Sequence, residues 1–508
     1  MTLALASHAP WAQVQLPALG ESASDDLAVA DERRLGEQIM RMVWRDPAYL
    51  DDPVLLEYVQ SLWAPLVVSA RRLGYLGADI DAMFALQAFL VRDPAVNAFA
   101  LPGGHVGVYL GLLAVTASRD ELASVLAHEL THVSQRHIAR NIGNSQRTGM
   151  VGVAAMLLGL LVATRSGNTD AAAAAIAGGQ AALIQDQLNF SRDAEREADR
   201  IGWVIFNDAG YASAGMAAMF ERLEQANRLN DGGAFPYLRS HPLTGDRIAE
   251  ARARVLAAGP GPAAQAEDDA LHLMMSARAR VLMDPSLPAL QRALVDPVAG
   301  ASPARRLAAA YGRALASSLL GDHEAALAGA RAAQASAGDM APAVQRQLRL
   351  LEAELRLRAD MPGAALPLLD ATTSGRGPRP ELLLQAQSAW TLARLDAGAA
   401  AAPLRTAVEA LQSWTAEHAD DALAWTRLGQ VSAAAGLPLR AARAEAEARA
   451  AQGDLSGAID RLRTAQRATA PLTPGTPAFT EAQVIDARLR VWTAQLRAEL
   501  QRDGRRRQ

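Results

Sequence analysis

The chain has 508 residues, too many for one hydrophobic core, so two or three domains are expected. Half of the residues are hydrophobic and a fifth are charged, an ordinary globular balance. All 50 basic residues are arginine, yet a net charge of −4 gives no basic field for nucleic acid, and the absence of cysteine excludes disulfides and thiolate metal ligands.

Residues 1–26 begin MTLALAS and read as an N-terminal tail or signal remnant, because a basic start and a full apolar core are missing. A first domain is expected over 27–256. Within it, Ser118-Arg119-Asp120-Glu121 has capping-box spacing before an apolar-periodic run, which predicts a helix from near Arg119 to beyond His137. On that helix His128 and His132 stand four apart, so both imidazoles project from one face and can share one ion. Glu129 sits beside the first of them, where it can take a proton from a water molecule. His137 is five residues beyond His132 and is expected off that face, in a structural role. A third ligand six residues beyond His132 would fall on Ile138, which cannot serve.

The longest apolar run, Met150 to Ala163, is shorter than the ~20 residues that cross a bilayer, and reads as a buried or membrane-surface helix. The alanine-rich stretch 171–184 follows and could form a hairpin or lid with it. SRDAEREADRIG (191–202) predicts another helix, with Glu195 and Asp199 four apart on one face. Glu195 could complete a metal site while Asp199 orients a ligand histidine; Glu197 points elsewhere and is the weaker choice. On spacing alone, the same acids could instead form a charged helix surface paired with Arg192, Arg196 and Arg200.

AAGPGPAAQAEDD (257–269) is a linker by composition, which few contacts should cross, and a second domain is expected over 270–508. There, GDHEAALAGA, DMPGAALPLL and GDLSGAIDRL each place a turn before a small-and-apolar helix start. Trp425-x-x-Leu428-Gly429 and Ala458-Ile459 suit a tetratricopeptide-like repeat, and a generic helical bundle is the alternative. The fold class expected overall is mainly α. The basic tail Arg502, Arg505, Arg506 and Arg507 reads as a solvated terminus.

His128-Glu129-x-x-His132 followed by Glu195-x-x-Ala198-Asp199 resembles the zinc metallopeptidase family of the CAAX prenyl endopeptidases and bacterial quality-control proteases. NAFALPGG (97–104), GLL (111–113), DELASVLAHELTHVSQRH (120–137) and SHPLTGDRI (240–248) extend the likeness over most of 27–255, and it is to the BepA-like periplasmic members with C-terminal tetratricopeptide repeats. The resemblance implies a zincin-like domain with a small β-sheet, one Zn2+ per chain on His128, His132 and Glu195, and Asp199 as orienter. It implies that NAFALPGG leads into an edge strand where substrate backbone lies. His105 and Tyr109 occupy strand positions where other residues are usual, and His105 reads as a half-buried strand residue. His241 stands before Pro242 in a loop and could latch the metal, contact the oxyanion, or cap a helix.

The implied activity is a periplasmic zinc endopeptidase with Glu129 as general base. Its expected partners are unfolded or misassembled substrates, the outer-membrane β-barrel assembly machinery docked through the repeats, and a peripheral membrane contact. The reading from another class is a tetratricopeptide scaffold or chaperone whose zinc site is latent or structural.

Overall fold

The computed structural model describes residues 27–144, 192–229, 236–259, 266–295, 300–338, 340–372, 377–468 and 472–506. The N-terminal tail 1–26, the apolar run Met150 to Ala163, the stretch 171–184 and linker residues 260–265 lie outside the described residues.

Helix α1 (Val29–Val43) lies on one face of a four-stranded sheet and is buried through Leu35, Ile39, Met40 and Val43. The sheet runs β1 (Tyr49–Leu50), β2 (Gln87–Val91), β4 (His105–Tyr109), β3 (Ala98–Leu101) in space. β2 and β4 are parallel, while β1 and β3 are antiparallel additions at the two edges. Alternation divides the strands between two cores. Phe89, Val91, Leu101 and Tyr109 meet α1, whereas Ala88, Leu90, Ala98, Val106 and Val108 face the main core. β4 is buried at every residue, including His105, and its uninterrupted burial follows from cover on both faces.

The main core is built around α2 (Pro53–Arg72) and α5 (Arg119–Ser134). Asp52 caps α2 by accepting from the Leu55 N–H at 2.8 Å. Ser118 caps α5 by accepting from the Glu121 N–H, and the Glu121 carboxylate reaches back to the Ala117 N–H, one residue before the cap. Residues 120–134 of α5 are all buried, so the helix threads the domain interior with neighbours on every side. It ends at Ser134 rather than running beyond His137. Arg136 adopts φ +53°, the left-handed region that terminates a helix, and α6 (His137–Asn144) starts immediately after.

Short helices α3 (Ala78–Met83) and α4 (Leu110–Val115) flank the sheet. Four further helices complete the first part of the chain: α7 (Arg192–Asp208), α8 (Ala214–Leu229), α9 (Pro236–Ser240) and α10 (Gly245–Ala258). From α11 (Ala266–Met283) onward all regular structure among the described residues is helical, so the fold is mainly α with one small sheet. The sequence 303–319, 323–337, 342–358, 379–395, 397–417, 422–434, 438–451, 455–468 and 477–506 packs helix on successive helix. Aspartates 322, 396 and 421 cap three of these through their side chains. Trp425 and Leu428 sit in one local core, Ala458 and Ile459 in the next.

Many contacts join the segments on either side of 257–269, contrary to the sequence expectation of few. Among the described residues, one apolar core has members from Leu50 to Leu369, on both sides of that stretch. Its seam carries His272 between the Tyr58 hydroxyl (2.7 Å) and the Thr116 carbonyl (3.0 Å). Buried Arg278 grips both oxygens of Asp52 and reaches Glu354. Arg346 bridges Glu57 and Glu381, and Arg379 bridges Asp51 and Asp421. The linker is a link in sequence, not a gap between bodies.

Candidate metal centre

The four-residue spacing on α5 sets His128 and His132 side by side, with Nε2 atoms 3.0 Å apart and both rings buried. α7 packs against α5 where Gly202 replaces a side chain: a Cβ there would stand 3.2 Å from the Ala127 carbonyl oxygen. That close approach brings Glu195 and Asp199 onto the histidines. Both acids are buried and face inward, while Arg196 pairs with Asp193 outside, so the charged-surface alternative for α7 does not hold.

His241 arrives on the loop between α9 and α10. Its N–H donates to the Tyr237 carbonyl at 2.8 Å, and its ring stacks on the buried Tyr237 ring at 4.7 Å. Nδ1 of His241 lies 2.9 Å from Glu195 Oε1 and 3.3 Å from His128 Nε2. One atom each from His128, His132, Glu195 and His241 falls within 4.8 Å of the others. His105 lies in β4 and outside this group.

The donor set suits a divalent cation. Ligand atoms at ~2.0–2.1 Å from a tetrahedral ion lie about 3.3 Å from one another. The separations are 3.0 Å between the two α5 histidines, 3.4 Å from His128 Nε2 to Glu195 Oε2 and 3.5 Å from His132 Nε2 to Glu195 Oε1. All four donors are nitrogen or oxygen, as a chain without cysteine requires.

Electrostatics sort the groups. Burial disfavours a charged His128, but Asp199 and Glu195 outweigh it and lift its pKa to about 10. Burial also opposes ionisation of Glu195, yet His241 and His128 hold its carboxyl well below the usual range. Burial, reinforced by His128, keeps His132 well below an ordinary histidine. Glu129 is pushed upward by burial above all. It lies against the Ala100 backbone of edge strand β3 and 3.5 Å from His241 Nε2, but neither of its oxygens makes a hydrogen bond of full geometry. A fully buried carboxylate left without such partners is costly, and beside the cluster it stands where a proton could be taken up.

Outside the donors stand residues that back them, some of whose parts the sequence did not disclose. Asp199 Oδ1 takes the Nδ1–H of His128 at 3.0 Å, and Arg247 holds that carboxylate from the far side. Arg247 Nη1 also lies 3.0 Å from Glu195 Oε2, an ion-pair contact. Arg247 was visible only as part of SHPLTGDRI. His137, expected to be remote, sits 2.7 Å from His132 through their Nδ1 atoms, and Glu197 meets His137 rather than the donors. The early end of α5 is what turns His137 back.

The sequence profile of peptidase family M48 matches residues 77–255, the segment that carries α5, α7 and the His241 loop. Residues 77–255 form a peptidase family M48 domain. The M48 domain thus contains every member of the candidate centre, and metal dependence is the property of that family which the donor set fits. Relatives named beta-barrel assembly-enhancing protease include one from Yersinia pestis, 28% identical over 456 residues, 89% of this chain and 87% of that one. Another, from Escherichia coli K12, is 31% identical over 300 residues, 59% and 58% of the two chains. A Vibrio cholerae protein given that name provisionally is 37% identical over 241 residues, 47% of each. The match therefore spans about half the length of the Vibrio and Escherichia relatives.

Proposed function

We propose that this protein is a zinc endopeptidase in which His128, His132 and Glu195 hold one Zn2+ and Glu129 is the general base. The observation that supports this most directly is Glu129: a metal site with a purely structural task has no use for a fully buried carboxylate beside it. Zinc, when bound, makes water more acidic and polarises a carbonyl. Glu129 takes the proton of the attacking water and passes it to the departing amine. Asp199, backed by Arg247, fixes the orientation of His128. Edge strand β3, against which Glu129 lies, offers backbone groups to an extended peptide. His241, with Nδ1 among the donors, occupies the fourth position as a latch that substrate or partner binding withdraws.

By likeness to the beta-barrel assembly-enhancing proteases, the substrates are misfolded or misassembled outer-membrane β-barrel proteins and the compartment is the periplasm. The helices from 270 to 508 act as a tetratricopeptide-like docking surface for the β-barrel assembly machinery, with a peripheral membrane contact. The division 27–256 and 270–508 is functional in this reading: one part cleaves, the other engages partners.

Cleavage of an unfolded casein-type substrate by the purified chain tests the proposal. Activity that a chelator removes, added zinc restores and Glu129→Gln abolishes is the expected result. Full cleavage by Glu129→Gln would overturn the assignment. The scaffold reading has one observation in its favour, since four protein donors including His241 are the complement of a closed structural site. A protein that binds zinc but stays inactive even as His241→Ala would establish that second reading.

A further inference from the structure

His132 and His137 face each other through Nδ1 at 2.7 Å, and only one of two such nitrogens can carry the shared proton. The outer partner decides which. His137 Nε2 lies 3.0 Å from Glu197 Oε2, and the Arg140 guanidinium holds the same oxygen at 2.9 Å. A carboxylate only accepts, so the His137 proton is on Nε2 and its Nδ1 offers a lone pair. His132 must then donate from Nδ1, which leaves its Nε2 without a proton and its lone pair toward His128 and Glu195.

We propose that Arg140, Glu197 and His137 form a positioning relay that fixes His132 in its metal-binding tautomer, separate from the Asp199–Arg247 arm on His128. The relay rests on the metal reading above. Each α5 histidine thus ends, through its rear nitrogen, on a carboxylate backed by an arginine: His128 directly, His132 through one more imidazole. That symmetry of function requires the backbone to reverse after α5. Arg136 supplies the reversal in a left-handed conformation that non-glycine residues rarely adopt. Its guanidinium is tied to Glu32 of α1 at 2.9 Å and to the Leu27 carbonyl, so the turn is held from a distant part of the chain. A straight continuation of α5 would carry His137 around the helix, away from the His132 ring.

The test compares full-length proteins for zinc affinity, read by competition with a fluorescent chelator, and for melting of the metal-free forms. His137→Phe keeps a ring of similar shape but accepts no hydrogen bond, and is expected to weaken zinc about 10–100-fold. His137→Asn places an amide oxygen where Nδ1 stood and is expected to keep most of the affinity. Glu197→Ala should lose affinity that Glu197→Gln, still an acceptor for Nε2–H, largely retains. Metal-free melting temperatures should not follow this order. Equal loss in His137→Phe and His137→Asn would reduce His137 to packing and overturn the relay, as would wild-type affinity in His137→Phe. Should His137→Phe not fold, the Glu197 pair carries the same comparison. Wild-type protein that binds no zinc would overturn the metal reading itself, a result distinct from either.

Discussion

Arg247 and Asp199 form a two-pronged buried ion pair, Nε to Oδ2 at 2.6 Å and Nη2 to Oδ1 at 2.8 Å, and the same Oδ1 receives His128 Nδ1–H. The guanidinium keeps the Asp199 carboxylate below the usual range although burial opposes it. Lysine carries the charge but cannot supply the planar fork. Arg247→Lys and Asp199→Ala should each lower metal affinity by about 10–100-fold while leaving some binding. Chelator competition checks this. Unchanged affinity in both would mean that His128 needs no orientation from behind.

Removal of single donors should separate metal binding from chemistry. His128→Ala, His132→Ala and Glu195→Ala are expected to lose zinc measured on the purified protein, whereas Glu129→Gln keeps it and loses cleavage. Full metal content in Glu195→Ala would exclude that residue as a ligand. Glu197 could not then replace it without leaving His137 and Arg140.

His241→Ala should retain zinc and raise basal cleavage of unfolded substrate, including self-cleavage, because the latch is removed from an open position. Retained zinc with lost activity would assign His241 to the oxyanion instead. No change in either would leave it as the packing partner of Tyr237.

Stability should decline in mild acid. Burial pushes His272 down to about 4, against the pull of its Thr116 hydrogen bond, and burial pushes His105 to about 4 as well. Below the unfolded value of ~6.5 the unfolded chain takes up protons that the folded chain refuses until about pH 4. Stability is therefore complete above that unfolded value and falls as pH drops, by up to about 3 kcal/mol for each ring. Urea midpoints measured from pH 7 to pH 5 should fall, with a smaller slope in His272→Gln. A flat wild-type profile would contradict the assignment.

A fragment ending at residue 256 should not fold as the isolated protease. It would expose the α4 and α2 surfaces that α11 covers and leave Asp52 buried against no arginine. Loss of one partner from a buried ion pair typically costs about 3–5 kcal/mol. Co-expression of 1–256 with 257–508 should recover soluble complex. A cooperative melt from 1–256 alone would refute the shared core.

The sequence made legible what depends on local periodicity. Ser118 marked the start of α5, the His128–His132 spacing set their common face, and Glu195 with Asp199 gave the facing helix. Other features depend on distant partners. The reversal at Arg136 is held by Glu32, 104 positions earlier, and no local pattern encodes it. The burial of α11 was hidden for a related reason: an apolar helix face reads the same whichever neighbour it meets. The proline- and glycine-rich stretch before it reported an irregular backbone and nothing about the surfaces it joins.

Within seven residues at the start of α2, Asp51, Asp52 and Glu57 each receive an arginine from a different later helix: Arg379, Arg278 and Arg346. In a free stack of helical repeats each unit touches only its neighbours, and small rotations add along the stack. Here three separate helices are referenced to one fixed point, so an angular error in one is not passed undiminished to the next. The array is surveyed from a common benchmark, and that benchmark belongs to the helix packed beneath the sheet of the metal centre.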